Sequence, residues 1–287
     1  DLGIPIRLSS DFNIPSTRSS IQASYDRIVG DLKAAISLLP VAPVHVVRPS
    51  KPAAYALLAR VYLSMRKYKE AEEYADSSLL INNTLMDYNM LDTTQTYAIP
   101  IFNPEVTFHA IGANTPTYYA LVDSKLIKLY SSNDLRKTIF FNRNANDTYS
   151  WRCSYDGTNY DLFVGTATDE MYLTKAECLA HLGDWQGGIN VLNTLLIKRI
   201  KEGTFIPVIA NSAEDAIKII KSERRKELVW RDLRWMDIKR CNKEGDNIVL
   251  TRILNGETYE LRPNDNRYAL PLPANVLKLT GMPQNPN

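Results

Sequence analysis

The sequence has almost no excess of either charge: 34 Lys and Arg stand against 32 Asp and Glu, a formal net of +2. Without a one-signed field there is little electrostatic pull toward a phosphate backbone or an anionic lipid surface, so nucleic acid is not an expected partner. Cysteine is scarce. Cys153, Cys178 and Cys241 are odd in number, far apart and without a CxxC pair, which argues against a disulfide framework or a zinc knuckle and leaves free thiols that act as small hydrophobes. No apolar run approaches the roughly 20 residues of a membrane helix, and Asp1-Leu2-Gly3-Ile4-Pro5 is not the charged-then-apolar start of an export signal.

Signatures of catalysis are missing as well. There is no G-x-x-x-x-G-K-[ST], no G-x-S-x-G and no H-E-x-x-H, and His45, His109 and His181 lie far apart without neighbouring ligand patterns. Asn142, Asn144, Asn146 and Asp147 have the spacing of a cation loop but lack its turn Gly and closing Glu, so they read as a polar loop. Nothing in the spacing of Asp and Glu proposes the paired carboxylates of glycoside hydrolysis. The expectation is a chain that is no enzyme, with no catalytic residues, no cofactor and no metal ligands.

What is present is helical periodicity. With 45% hydrophobic and 23% charged residues the chain can bury a full core. Ser19 and Ser20 precede Ile21, Tyr25, Ile28, Leu32, Ile36 and Leu39, a spacing of three and four that ends at Pro40 and predicts a helix from about 20 to 39. From Lys51 two further runs, with Tyr55, Ala59 and Tyr62 in one and Ala71 and Tyr74 in the other, predict a helical hairpin over about 51–80. The pattern returns without a gap 117 residues on: Tyr172, Ala176, Leu179, Gly183, Asp184, Trp185 and Gly188 take the places of Tyr55, Ala59, Tyr62, Arg66, Lys67, Tyr68 and Ala71. This predicts a second hairpin over about 170–197 and resembles the tetratricopeptide repeat. Between them, residues 81–168 are rich in Asn, Thr, Tyr and Asp, with Pro100, Pro104 and Pro116 as breakers and one helical stretch near 120–130. So long an insertion in a helical scaffold reads as a loop-rich binding region. A wide apolar arc of Leu228, Val229, Leu233, Trp235 and Met236, projected at 100° per residue, predicts one Arg-rich helix over about 222–240. That projection puts Arg225 and Asp232 inside the arc, where they are expected to be buried and hydrogen-bonded. Residues 241–287 read as irregular.

Glu223 to Leu228 and Arg234 to Arg240 match the pattern E-R-R-x-E-L followed by R-W-x-D-hydrophobic-x-R, and in these residues the chain resembles the SusD/RagB family. Weaker matches follow in the family's order: Leu2-Gly3-Ile4-Pro5, Leu38-Leu39-Pro40, Lys51 to Leu63, Asn103-Pro104-Glu105-Val106, Asp134 with Arg136, Glu170 to Leu173, and Leu270-Pro271-Leu272-Pro273 with Gln284-Asn285-Pro286. Where the family has Glu-Gly-x-Arg inside the Arg-rich motif, this chain has Val229-Trp230-Arg231-Asp232-Leu233. The resemblance implies a mainly α fold of tetratricopeptide-like hairpins with a loop-rich insertion, the SusD-like α/α fold, as one domain over 1–287. It implies non-catalytic capture of oligosaccharide by a surface-exposed outer-membrane lipoprotein, whose N-terminal lipid is not part of this chain. The implied partner is a TonB-dependent, SusC-like transporter.

Sugar recognition needs aromatic faces for the pyranose ring and amide or carboxylate groups for its hydroxyls. The insertion supplies both: Tyr149, Trp151 and Tyr155 are the expected stacking residues, with Asn144 and Asp156 as hydrogen-bonding neighbours. The alternative is a scaffold that holds a peptide or a partner helix in the groove of its repeats.

Overall fold

The structure, a computed structural model, describes residues 2–112 and 121–286; Pro116 and the first residue of the stretch expected near 120–130 lie outside them. In chain order run β1 (Leu2–Pro5), β2 (Arg18–Ser20), α1 (Ile21–Leu38), α2 (Lys51–Ser64) and α3 (Tyr68–Leu79). The insertion holds β3 (Val106–Phe108), β4 (Ile111–Gly112), α4 (Ser124–Ile127), α5 (Arg136–Phe140), β5 (Phe141–Arg143), β6 (Tyr149–Trp151), β7 (Leu162–Phe163) and β8 (Thr166–Ala167). The scaffold resumes with α6 (Thr168–His181), α7 (Trp185–Leu196), α8 (Ala213–Glu227) and α9 (Arg234–Lys243), followed by β9 (Leu250–Leu254), β10 (Glu257–Leu261) and α10 (Ala274–Thr280). The chain forms two compact units rather than one, residues 35–234 and residues 1–34 with 235–287.

In the larger unit the 117-residue offset governs both helices of each hairpin. α2 and α6 have 14 residues each and α3 and α7 have 12 each, and every boundary differs by that offset. Ser50 starts α2 by accepting a hydrogen bond from the Ala53 amide, with Pro52 in the first turn. Each hairpin turns through a left-handed residue, Arg66 at φ 59° in the first and Gly183 at φ 100° in the second. Glycine takes that conformation without the steric cost Arg meets. At the crossing, Ala59, Ala71 and Ala176 are fully buried. A β-carbon on Gly188 would lie 2.5 Å from the Ala176 carbonyl oxygen, so α7 approaches α6 as closely as a backbone can. α3 packs on α6, which makes the hairpins neighbours in space although the insertion separates them in sequence.

That insertion is loop-rich, as expected, and it also encloses a core of its own. Its two ends are zipped together by antiparallel pairs, Val106 opposite Ala167 and Ile111 opposite Phe163. Tyr88, Ile99, Phe140, Phe141, Trp151 and Phe163 belong to one buried cluster inside it. The abundant Asp and Asn residues cap its turns: Asp123 accepts from the Lys125 amide, Asp87 from Asn89 and Asp156 from Thr158. β5 and β6 form a hairpin with Phe141, Asn142 and Arg143 opposite Trp151, Ser150 and Tyr149.

The expected single helix over 222–240 is corrected. α8 ends at Glu227, six residues follow without helix, and α9 begins at Arg234. Trp230 and Asp232 have φ of 58° and 56°, a region bulky residues rarely enter. Helical continuation would have put Trp230 opposite Leu228, in the polar arc; the break brings it against Trp151, with ring centroids 5.2 Å apart. Asp232 stands where the Glu-Gly-x-Arg pattern has its glycine, and its positive φ is the reason for one there. Consequently Asp232 is exposed and Arg225 is half-buried beside Asp123, while Arg224, Lys226, Glu227, Arg231, Asp237 and Arg240 are the buried charges of this segment.

In the smaller unit β1 pairs antiparallel with β2, and the Ser24 hydroxyl at the start of α1 accepts from the Ile4 amide. The segment expected to be irregular contains the antiparallel ribbon of β9 and β10 and the short α10. Gln284 bonds both the amide and the carbonyl of Leu272, at 2.8 and 3.0 Å, and Asn285 donates to the Leu270 carbonyl at 2.7 Å. These bonds join the Leu-Pro-Leu-Pro run to the Gln-Asn-Pro ending.

Candidate functional site

Three buried arginines, Arg136, Arg199 and Arg231, tie the insertion to the helices. Arg136 donates to both oxygens of Asp134 at 2.9 and 2.7 Å, to Glu227 at 2.9 Å and to Glu223 at 2.7 Å. Arg199 donates to Glu227 at 2.7 Å, to Glu105 at 2.7 Å and to the Met86 carbonyl at 2.6 Å, and its guanidinium lies 4.0 Å above the Tyr88 ring. Arg231 donates to Asp169 at 2.8 Å and stacks on Tyr155 and Phe163 at 4.2 and 4.7 Å. Each removes two or more charges from water, which is tolerable only because hydrogen bonds and ring faces surround them.

The carboxylates of this lattice are tuned apart. Burial pushes the Glu227 carboxyl up, but Arg199 and Arg136 outweigh it and hold it below the usual carboxylate range. Burial likewise opposes, and Arg60 and Arg136 respectively overcome, the shift at Glu170 and Asp134. At Glu105 burial wins over the pull of Arg199 and lifts the carboxyl to about 7. The Tyr155 hydroxyl donates to Glu105. These groups are locked to one another and present no face to a ligand, so their perturbation belongs to a structural network.

The lattice fixes the strand hairpin that carries the candidate binding residues. Asp134 and Arg136 open α5, which leads into β5 and so into its pairing with β6. Of the five expected contact residues, three are corrected to core positions. Trp151 is 3% exposed and packs between Phe140, Phe141 and Trp230. Tyr155 is 4% exposed, sandwiched under Arg231 and bonded to Glu105. Asp156 is 1% exposed and accepts from the amide and hydroxyl of Thr158. The physical reason is shared: a segment polar by composition still needs a core, and its largest rings supply it.

Tyr149 and Asn144 stay half-buried at the open end of the hairpin. Asn144 holds the turn, donating through its side-chain amide to the Thr148 hydroxyl at 2.9 Å and accepting from Ser150 at 3.2 Å. The Tyr149 hydroxyl has no hydrogen-bond partner among the described residues. Sequence reasoning missed Lys137, whose ammonium lies 5.4 Å above the Tyr149 ring. The available signal was its place directly after the Asp134 and Arg136 pair, on the element that pair anchors. Among the described residues no group of His, Cys, Asp and Glu is arranged to hold a metal ion, and no helix is long and apolar enough to cross a membrane.

A family model described as starch-binding associating with outer membrane matches residues 2–63, and the SusD family model matches residues 168–287. No curated protein matches the chain. Among solved structures, a SusD superfamily protein of Bacteroides thetaiotaomicron superposes with a TM-score of 0.78 at 22% identity, over 100% of this chain and 71% of its own. A SusD superfamily protein of Bacteroides vulgatus gives 0.75 at 23% identity, over 100% and 70%. A SusD-like carbohydrate binding protein of Bacteroides vulgatus gives 0.70 at 21% identity, over 96% and 69%. At these identities the structures speak to the fold, which is the helical SusD-like one, while the two family models together span more than half of the sequence. The chain belongs to the SusD/RagB family.

Proposed function

We propose that this chain captures oligosaccharide without altering it, at the outer-membrane surface, and passes it to a TonB-dependent SusC-like transporter. The observation that carries the reading within the chain is the open end of the β5–β6 hairpin. There Tyr149 is half-buried with no hydrogen-bond partner for its hydroxyl among the described residues, one strand position beyond the turn that Asn144 holds, on a strand made rigid by the buried Trp151 behind it. A half-exposed aromatic on a fixed strand provides the flat apolar face that a pyranose ring takes, with little ordering cost on binding. Trp151, Tyr155 and Asp156 act in this reading as the support that holds Tyr149 in place. The outer-membrane location, the lipid tether and the transporter rest on family membership alone.

The test is calorimetry of the purified chain against a panel of neutral and acidic oligosaccharides, with reducing ends assayed in the same samples. Saturable binding of at least one glycan, with reducing ends constant over hours, is the expected result. Absence of binding across the panel, or release of reducing ends that a single carboxylate substitution abolishes, contradicts it.

A further inference from the structure

We infer that the glycan held at Tyr149 is anionic, with a carboxylate or sulfate group facing Lys137. The inference rests on the reading of Tyr149 as a ligand contact and names the class of sugar it takes. Lys137 is half-buried, and its ammonium lies 5.4 Å above the Tyr149 ring. The ring quadrupole holds the cation there, but no carboxylate pairs with it among the described residues. A partly desolvated ammonium of this kind offers a ligand anion more than a fully hydrated one would.

The neighbouring charges point the same way. Between residues 121 and 152 the exposed carboxylates are Asp123 and Asp147, and each already faces an arginine, Arg225 and Arg143. Lys125, Lys128, Lys137 and Arg152 have no carboxylate partner among the described residues. Arg152 directs its N–H groups to the main-chain carbonyls of Thr93, Gln95, Thr96 and Thr138, so it is fixed in position with its charge uncancelled. Lys125 lies on α4, and two residues before that helix the Val122 amide bonds the Tyr149 carbonyl at 2.8 Å. Of these cations Lys137 meets the Tyr149 ring and Arg152 directly follows β6, while the exposed Asp92, bonded to Thr94 and Gln95, lies in the turn whose carbonyls hold Arg152. A neutral sugar would leave these cations unused.

The experiment measures the affinity of the wild-type chain for tetragalacturonate, a sulfated carrageenan tetrasaccharide, maltotetraose and xylotetraose, at low and at high NaCl. One of the two anionic sugars is expected to bind at least about tenfold more tightly than either neutral one, with affinity falling as salt rises. Which of the two binds separates carboxylate from sulfate. Lys137→Gln should weaken that binding at least about tenfold, and Lys137→Arg should restore most of it; unchanged melting curves establish that both variants fold. A neutral sugar binding as tightly as the anionic ones, or Lys137→Gln leaving affinity unchanged, overturns the inference while leaving glycan capture intact. Failure of all four sugars to bind overturns both.

Discussion

The Arg199 Nε donates to Glu227 Oε1 at 2.7 Å with neither side chain exposed, and the other Glu227 oxygen takes Arg136. One carboxylate therefore neutralises two arginines from different segments. Glu227→Gln would leave both guanidinium groups in the interior with one negative charge fewer. A loss of about 3–5 kcal/mol is expected, read from urea unfolding midpoints. A loss below about 0.5 kcal/mol, the range of surface changes, would contradict the structural role assigned to the lattice.

The pH dependence of stability should have two slopes of opposite sign. Asp134, Glu170 and Glu227 are held below their ordinary values of 3.8, 4.5 and 4.5. Folding therefore favours their ionised forms; that stabilisation is present above the unfolded values and is lost as pH falls through the folded ones. Glu105 is raised from 4.5 to about 7. Its folded form holds the proton more tightly, so its contribution is full below 4.5 and disappears as pH rises through about 7. Stability should climb from strongly acid conditions to about pH 5 and then decline toward about pH 8. Glu105→Gln, although less stable, should lose the part of the decline that runs up to about pH 7, while the raised, buried Asp169 keeps a share in the same direction; a decline that persists unchanged in that variant assigns it to another group.

Gly188 should not tolerate even alanine. The added carbon would meet a main-chain oxygen, which cannot rotate away, so α7 must move off α6. Gly188→Ala is expected to destabilise by about 1–3 kcal/mol in chemical unfolding, as overpacking does. Equal or greater stability would show that the two helices are not in such close approach.

Trp151→Ala and Tyr149→Ala should separate core from surface. Removing the buried Trp151 ring is expected to lower stability by about 3–5 kcal/mol. Tyr149→Ala should change stability by less than about 1 kcal/mol, since its ring is only half-buried. The reverse ordering would exchange their roles.

The repeat was legible because tight helix crossings demand small residues at fixed positions. Ala59 with Ala176, Ala71 with Gly188 and Arg66 with Gly183 sit at one offset, and both hairpins keep it from first residue to last. The break between α8 and α9 was hidden because periodicity reports which side of a helix is apolar, not whether the chain stays helical. Only the glycine in the family pattern, at the position of Asp232, signalled a left-handed turn. In the candidate site the error had a similar source. Local polarity around Trp151 and Tyr155 says nothing of the distant partners that bury them, Trp230 and Arg231 from the segment after α8. For Lys137 the place after Asp134 and Arg136 was legible, but its meeting with Tyr149 was not, since that follows from α5 and β6 coming together in space.

Binding at the open end of the β5–β6 hairpin is tested most directly by comparing wild-type and Tyr149→Ala protein in calorimetric titration with whichever oligosaccharide the wild type takes from the panel. Loss of at least about tenfold in affinity, with the unfolding midpoint nearly unchanged, is the result expected of a stacking contact. Full affinity in the Tyr149→Ala protein would remove the ligand from this hairpin and contradict the account.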